Sequence, residues 1–356
     1  MEKMFKRSLL GAAVAVAAVS GSANAAIELV GENVVMYGQA AGFMIWGDDS
    51  DTQSAGAVIE SRIGFKGKVD FEGLSPTFIW QIEGGNADNG DKSGQLGARD
   101  TYLGLDFEGV GSFKYGRQLV AAYNYIDWPH SNPGLGNVFD WNNDLDVSYT
   151  DRADSVFRFD SANFGGFGVQ ATLSGMGQDT DRLISSVAAS YSQDLFSVHA
   201  GYYHRGEYTS TEDEQDKYII NETGSVVANP DYVAGGEKVT NYSHNYAIVG
   251  GSLFLSDLTL TAAYKAMDTD SATGSVGQNA YSATAQYVFN GQWVLKGGYA
   301  ATDDADGTND TGDTAVTARL GYILPSAYMY LDSRNYKMNN ADDWNNYVLA
   351  GMEYYF

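Results

Sequence analysis

The sequence predicts an all-β chain closed into a transmembrane antiparallel β-barrel of about sixteen strands. Three observations carry that expectation. Apolar and polar residues alternate through many short segments, aromatic residues gather where those segments end, and short turns alternate with long acidic connections.

Composition sets the frame for these patterns. Among 356 residues there are 42 Gly and 25 Tyr but only 5 Pro, a mixture that suits closely packed, pleated strands and contains few ladder breakers. No Pro/Ser-rich linker or composition break divides the chain. With no cysteine, a disulfide framework and a thiolate metal site are both excluded, and no cofactor is expected. The formal charge of −24 repels nucleic acid and anionic lipid, so nucleic acid is not an expected partner.

The amino-terminal segment has the three parts of a secretory signal peptide. Lys3, Lys6 and Arg7 form a positive start, Leu9–Val19 an apolar centre and Ala23-Asn24-Ala25 a small-residue cleavage site. The apolar run falls short of the ~20 residues that a helix needs to span a bilayer. Residues 1–25 are therefore expected to be removed, leaving 26–356 as the barrel. Nothing later in the chain reaches 18 consecutive apolar residues.

Alternation fills that remainder. Val169-Gln170-Ala171-Thr172-Leu173-Ser174, Leu258-Thr259-Leu260-Thr261-Ala262 and Tyr281-Ser282-Ala283-Thr284-Ala285-Gln286-Tyr287 each place apolar residues at every second position. Such a strand has one dry and one wet face. Segments of this kind begin near Val34, Ala57, Pro76, Asp100, Ser112, Ala153, Phe167, Leu183, Phe196, Asn241, Leu258, Asn279, Gln292, Thr314, Ala327 and Trp344. Short turns at Gly109-Val110-Gly111, Asn290-Gly291 and Pro325-Ser326 alternate with long acidic loops over 47–56, 86–98, 118–151, 206–240 and 302–313.

A soluble β-sandwich would also alternate, with its dry faces meeting in a core. Aromatic placement favours the membrane. Trp46, Trp80, Tyr202, Tyr203, Trp293, Tyr328, Tyr330, Tyr354 and Tyr355 lie near strand ends, as interfacial girdles require. At the carboxy-terminus Val348, Ala350, Met352 and Tyr354 share one face with Phe356, while Gly351, Glu353 and Tyr355 share the other.

Several segments resemble one family in order along the chain. Val34-Val35-Met36-Tyr37-Gly38-Gln39-Ala40-Ala41-Gly42 resembles the first strand of the enterobacterial general porins, and Ser61-Arg62-Ile63-Gly64-Phe65-Lys66-Gly67 the second. Gly111-Ser112-Phe113-Lys114-Tyr115-Gly116-Arg117 is similar to the fifth strand, and Asn132-Pro133-Gly134-Leu135-Gly136 to the tip of the third loop. An aromatic end such as Phe356 resembles the signal by which outer-membrane proteins are recognised for insertion. The resemblance implies a homotrimer in the outer membrane of a Gram-negative bacterium, in contact with lipid and lipopolysaccharide and passing small hydrophilic solutes and ions. It also implies a long third loop folded into the lumen, whose acidic groups face an arginine ladder on the wall.

Two lines of reading meet on the wall. Ile59, Ile63, Phe65 and Val69 share the dry face of the second strand, so Arg62 is expected to point inward. In the sixth strand Ala153, Ser155, Phe157 and Phe159 are expected outward, which turns Arg152, Asp154, Arg158 and Asp160 inward. Arg62 and Arg152 also match ladder positions of the family. Arg99 shares parity with Leu103 and Leu105, which aims it outward unless a bulge intervenes.

The eyelet departs from the family pattern in both arms. Gln39 stands where the family has a lysine, Gly134 where the loop has a glutamate, and His130 where it has the other acid. Asp127, Asp140, Asp144 and Asp146 in the same loop are candidates to replace those acids.

Other constellations are weaker. His130, His199, His204 and His244 accompany no metalloprotease or nucleophile-elbow motif, and no catalytic nucleophile is held by a partner at an assignable position, so an enzyme is not expected. Asp303-Asp304-Ala305-Asp306-Gly307 with Asp310 could chelate calcium but more simply forms a solvated acidic loop. The expected function is a weakly cation-selective diffusion pore. Two alternatives stay open: a substrate-specific oligosaccharide porin with an aromatic track, for which Tyr37, Tyr203 and Tyr355 have inward parity, and a plugged structural or adhesive barrel.

Overall fold

The computed structural model describes residues 26–48, 52–85, 95–176, 180–211, 218–220, 225–230 and 238–356. The expected signal peptide lies outside them.

Sixteen strands form one closed ring. They are β1 (Val35–Asp48), β2 in two pieces (Gln53–Ile59 and Arg62–Val69), β3 (Thr77–Gly85), β4 (Thr101–Phe107), β5 (Gly111–Leu119), β6 (Arg152–Ser161), β7 (Phe167–Ser174) and β8 (Ile184–Ser192). There follow β9 (Phe196–Arg205), β10 (His244–Leu255), β11 (Leu258–Ser271), β12 (Gly274–Phe289), β13 (Trp293–Thr302), β14 (Thr314–Leu324), β15 (Ala327–Lys337) and β16 (Asn345–Tyr355). Each pairs antiparallel with its neighbours in sequence, and β1 closes the ring by pairing both β2 and β16, with Gln39 opposite Arg62 on one side and Tyr355 on the other. Ring closure removes every sheet edge, which hydrocarbon surroundings demand because an unpaired backbone group finds no water there.

All sixteen segments read from alternation are strands. The largest offset in a starting point is at β12, which begins at Gly274 rather than near Asn279. There the inward Gln278, Ser282, Thr284 and Gln286 are buried while the outward Tyr281 and Tyr287 are exposed to the surroundings. The outward side of the other strands is likewise a band of exposed Ile63, Leu103, Val249, Leu295, Leu331 and Met352, the lipid-facing surface of a barrel.

Turn chemistry sets the two ends apart. At the short-turn end, Asn290 and Gly291 both have positive φ (52° and 65°), the two-residue hairpin geometry that matches strand twist. At the other end the connections vary more than expected. The first loop is shorter than 47–56, because β1 runs to Asp48 and β2 starts at Gln53, and β11 joins β12 through only Ala272 and Thr273. The 206–243 connection carries two small hairpins, Tyr208–Thr211 with Lys238–Asn241 and Tyr218–Ile220 with Val226–Ala228.

Strict alternation fails in one place. Opposite Arg117 the sixth strand carries two residues, Asp154 and Ser155, and Ser155 adopts φ 52°. This β-bulge resets the facing of side chains. Ser155 therefore leaves the outward face of Phe157 and Phe159, and Asp154 beside it pairs with Arg117, its side chain 78% exposed.

The third loop, residues 120–151, lies inside the barrel. It contains a 3-10 turn, Ala122–Tyr125, and a single helical turn, α1 (Gly136–Phe139). Its Val120, Ile126, Leu135, Val138 and Phe139 are buried against inward residues of the wall, including Tyr203, Tyr246, Ala263, Ala280, Ala300 and Ala315. The lumen thus holds a small hydrophobic core of its own.

Candidate functional site

The site is the gap that remains between the third loop and the wall the loop leaves bare. Backbone and side-chain hydrogen bonds trace where the loop runs. Ala121 and Ala122 donate to Thr172 of β7 and Ser186 of β8, Ser282 of β12 donates to the His130 carbonyl, and Tyr336 of β15 donates to the Gly134 carbonyl. The chain then returns, with Lys265 of β11 donating to the Asp140 carbonyl and Gln278 of β12 exchanging two hydrogen bonds with Asp144. Glycines make room for the docking: a Cβ at Gly298 of β13 would stand 2.7 Å from Leu135 Cδ1.

Strands β1–β6 stay bare and carry the basic wall. Arg62 opens the second piece of β2 beside Gly85, where a Cβ would meet the Arg62 side chain at 2.7 Å. Its guanidinium lies among the charges of Arg99, Glu83, Glu60 and Arg152, and its Nε is buried with no hydrogen-bond partner. Gln39, across the strand pair, donates to Glu353 Oε2 at 3.1 Å, and Tyr355 also donates to that carboxylate. Arg152 donates to Asp100 at 2.7 Å and so reaches the same sector. Arg158 stands on this wall with Lys114, both paired to Asp160.

Arg99 corrects the outward expectation. It precedes β4, which begins at Thr101, so strand parity does not govern it, and its Nε meets Glu83 Oε1 at 2.6 Å while Tyr37 donates to the other oxygen of Glu83. Arg62, Arg99 and Arg152 are therefore one cluster. Glu83 and Asp100, which sequence reasoning did not single out, neutralise two of the three.

The loop candidates separate into two kinds. Asp127 and Asp146 are exposed; Asp127 accepts from Ser131 and Asp146 sits at a turn with φ 59°. Asp140 and Asp144 are tied down, Asp140 accepting from Tyr123 at 2.9 Å and Asp144 from Gln278 at 3.0 Å. Burial pushes the Asp140 carboxyl up to about 7; Lys265 pulls it back and Asp127 and Asp151 push it further up. Asp151, exposed at the end of the loop, is a further lumen acid that the sequence reading missed.

His130 does not take the place of an eyelet acid. Its ring is fully buried against the wall, with Nε2 2.9 Å from Nε2 of His199 on β9. Burial, together with His199 and Lys296, holds His130 down at about 3. Tyr203, a candidate for an aromatic track, is also buried beneath the loop, stacked on Tyr246 at 4.9 Å. Parity alone gives such residues as inward and cannot tell that a loop covers them. A triad at the loop tip was missed too: Arg319 and Arg334 both bind the buried Asp332, and Arg319 reaches Asn132 at 3.3 Å.

The carboxylates of 303–306 accept hydrogen bonds from the loop itself and from β12. Asp304 accepts from Thr311 and Gly312, Asp306 from Gly277, and Asp303 from Asn279 and Tyr281. No group of three metal-ligating side chains occurs among the described residues.

Known proteins share this architecture. The profile of a family described as Gram-negative porin matches residues 12–351. The chain is 35% identical over 345 residues to the chitoporin of Vibrio furnissii, covering 91% of this chain and 90% of the relative. It is 24% identical to outer membrane porin F of Salmonella typhi, covering 99% and 89%. Among solved structures, OmpT of Vibrio cholerae with loop L8 deleted superposes with a TM-score of 0.66 at 19% identity, covering 91% of this chain and 99% of that one. An anion-selective porin from Comamonas acidovorans gives 0.66 at 15% identity with the same coverage. OmpT of Vibrio cholerae described as a trimer form gives 0.63 at 17%, again covering 91% and 99%. A closed sixteen-stranded ring, a loop folded into its lumen and matches spanning nearly the whole sequence agree: this chain belongs to the Gram-negative porin family, a channel protein of the outer membrane and not an enzyme.

Proposed function

We propose that the chain is a weakly cation-selective diffusion pore for small hydrophilic solutes. One observation carries the reading. Within the Arg62 cluster Arg99 and Arg152 are paired with Glu83 and Asp100, which leaves Arg62 as the cation of that cluster without an ion pair, whereas Asp127, Asp146 and Asp151 of the loop form no ion pair among the described residues. Two unit charges ~4 Å apart interact by about 1 kcal/mol in water and more beside a low-dielectric wall, so one uncompensated charge matters at a constriction. The −24 total acts mainly at the mouth, because screening at physiological salt reaches ~8 Å. Zero-current potentials across a KCl gradient test this. Wild type should favour K⁺, and Arg62→Gln should raise the cation-to-anion permeability ratio by a factor of about two to five. Anion preference, or no change in the variant, would refute it.

The similarity to a chitoporin favours a second reading, a pore specific for an oligosaccharide. A hydroxyl-rich recess of about 250 Å³ beneath the loop, flanked by Tyr125 and Trp128, gives it a surface. Concentration-dependent, saturable current block by chitin fragments would establish that reading in place of the first.

Assembly as a homotrimer belongs to the same proposal. Outside the barrel, Ala40, Gly42 and Ala57 of β1 and β2 floor an apolar depression of about 770 Å³ rimmed by Met44, Met329 and Met352. Small residues at that depth let a second surface approach closely. Ala40→Trp should convert the heat-sensitive oligomer on unheated gels to monomer; an unchanged oligomer would place the contact elsewhere.

A further inference from the structure

The third loop is held by one contact whose chemistry differs from the rest. His130 of the loop and His199 of β9 meet Nε2 to Nε2 at 2.9 Å, and both side chains are buried. Between two ring nitrogens at that distance there is room for one hydrogen, donated by one ring and accepted by the other. Protonation of both rings would set two N–H donors head to head and end the hydrogen bond.

The surroundings are built for this pair. Gly250 of β10 lies where a Cβ would stand 2.8 Å from His130 Nε2 and 2.9 Å from His199 Nε2, so no other residue leaves space for the contact. Tyr125 stacks on His199 with ring centroids 4.6 Å apart. The charged group facing the pair is Lys296 of β13, held under the Trp128 ring at 5.0 Å; from β12 the Ser282 hydroxyl binds the His130 carbonyl and not its ring, and the uncharged Thr284 and Gln286 line the recess beside His199. His130 Nδ1 is buried without a partner, so nothing in place stabilises a second proton there.

We propose that His130 and His199 are positioning residues for the constriction, forming an acid-sensitive latch whose protonation frees the third loop from the wall. An imidazole that is neutral while docked and ionised once released favours release by up to about tenfold for each pH unit below about 6.5. Asp140 works against it. Its carboxyl is raised while docked, so it gains a proton as pH falls through about 7 and strengthens docking. The wild-type response is the difference between two imidazoles releasing and one carboxyl holding.

Single-channel recording of the purified oligomer at pH 7.5 and pH 4.5 tests the latch. Wild type should show about a tenfold higher frequency of closures at the lower pH. The double variant His130→Gln/His199→Gln, whose amides can still pair but do not titrate, should lose that rise and close less often at pH 4.5 than at pH 7.5, because Asp140 still strengthens docking, and Asp140→Asn in the wild-type background should enlarge the rise. Gly250→Ala wedges a Cβ between the rings without changing any titratable group, and should give frequent closures already at pH 7.5. Should the double variant fail to assemble, hydrogen exchange over 120–140 in wild type reads the same event, with protection lost at pH 4.5. A wild-type closure frequency independent of pH overturns the proposal, as does an undiminished acid response in the double variant or its loss in Asp140→Asn.

Discussion

On β8–β13 the inward positions are mostly Ser, Thr, Ala, Gly and buried Tyr, with His199, Lys265, Gln278 and Lys296 buried among them, and on β1–β6 they include Gln39, Arg62, Glu83, Lys114 and Arg158, although both sectors show the same period-two pattern. The difference is the third loop. Where it docks, inward side chains must be small or must pack, and Leu135, Val138 and Phe139 complete a dry core with them. Where it does not dock, inward side chains meet water and become charged, with Arg62, Arg99 and Arg152 answered by Glu83 and Asp100. Alternation therefore reports which way a side chain points; the loop decides what chemistry is tolerable there.

The comparison breaks first on the covered side. Phe139→Ala should cost loop docking about 3–5 kcal/mol, because Phe139 is fully buried and its removal leaves a cavity. The barrel, held by its own ladder, should still assemble, while single-channel current becomes noisy and the loop becomes susceptible to protease. A quiet, protease-resistant pore would show that hydrogen bonds and not packing hold the loop. On the bare side effects should be smaller and electrostatic. Asp100→Asn removes the partner of Arg152 from a pair whose side chains are 14% and 26% exposed, so stability should change by about 1 kcal/mol or less, with the thermal transition nearly unmoved. The permeability ratio should shift modestly toward anions as Arg152 is freed, and a large loss of stability would mean that the bare wall is a packed core as well.

These two sectors also mark what was legible in the sequence. Strand parity assigned the faces of β12 and β16 because a period of two is local and the membrane enforces it. It failed at Ser155, where an extra residue bends β6, and at Arg99, which lies before its strand begins. Family resemblance located the third loop but could not say which acids face water, since Asp140 and Asp144 are bound by Lys265-bearing and Gln278-bearing strands more than a hundred residues away. His130 illustrates the same limit. Its identity shows that an eyelet acid is missing, and only the fold shows that the ring pairs with His199.

The pairing of β1 with β16 has a consequence for how the protein is made. Gln39 and Glu353, hydrogen-bonded in the finished ring, are 314 residues apart in sequence. Because the closing contacts are the most distant ones, the first strand emerges long before its second partner exists and must wait with one edge unpaired. The waiting edge is a template for wrong partners. Ring closure therefore waits for β16, and until then the free edge of β1 is open to mispairing.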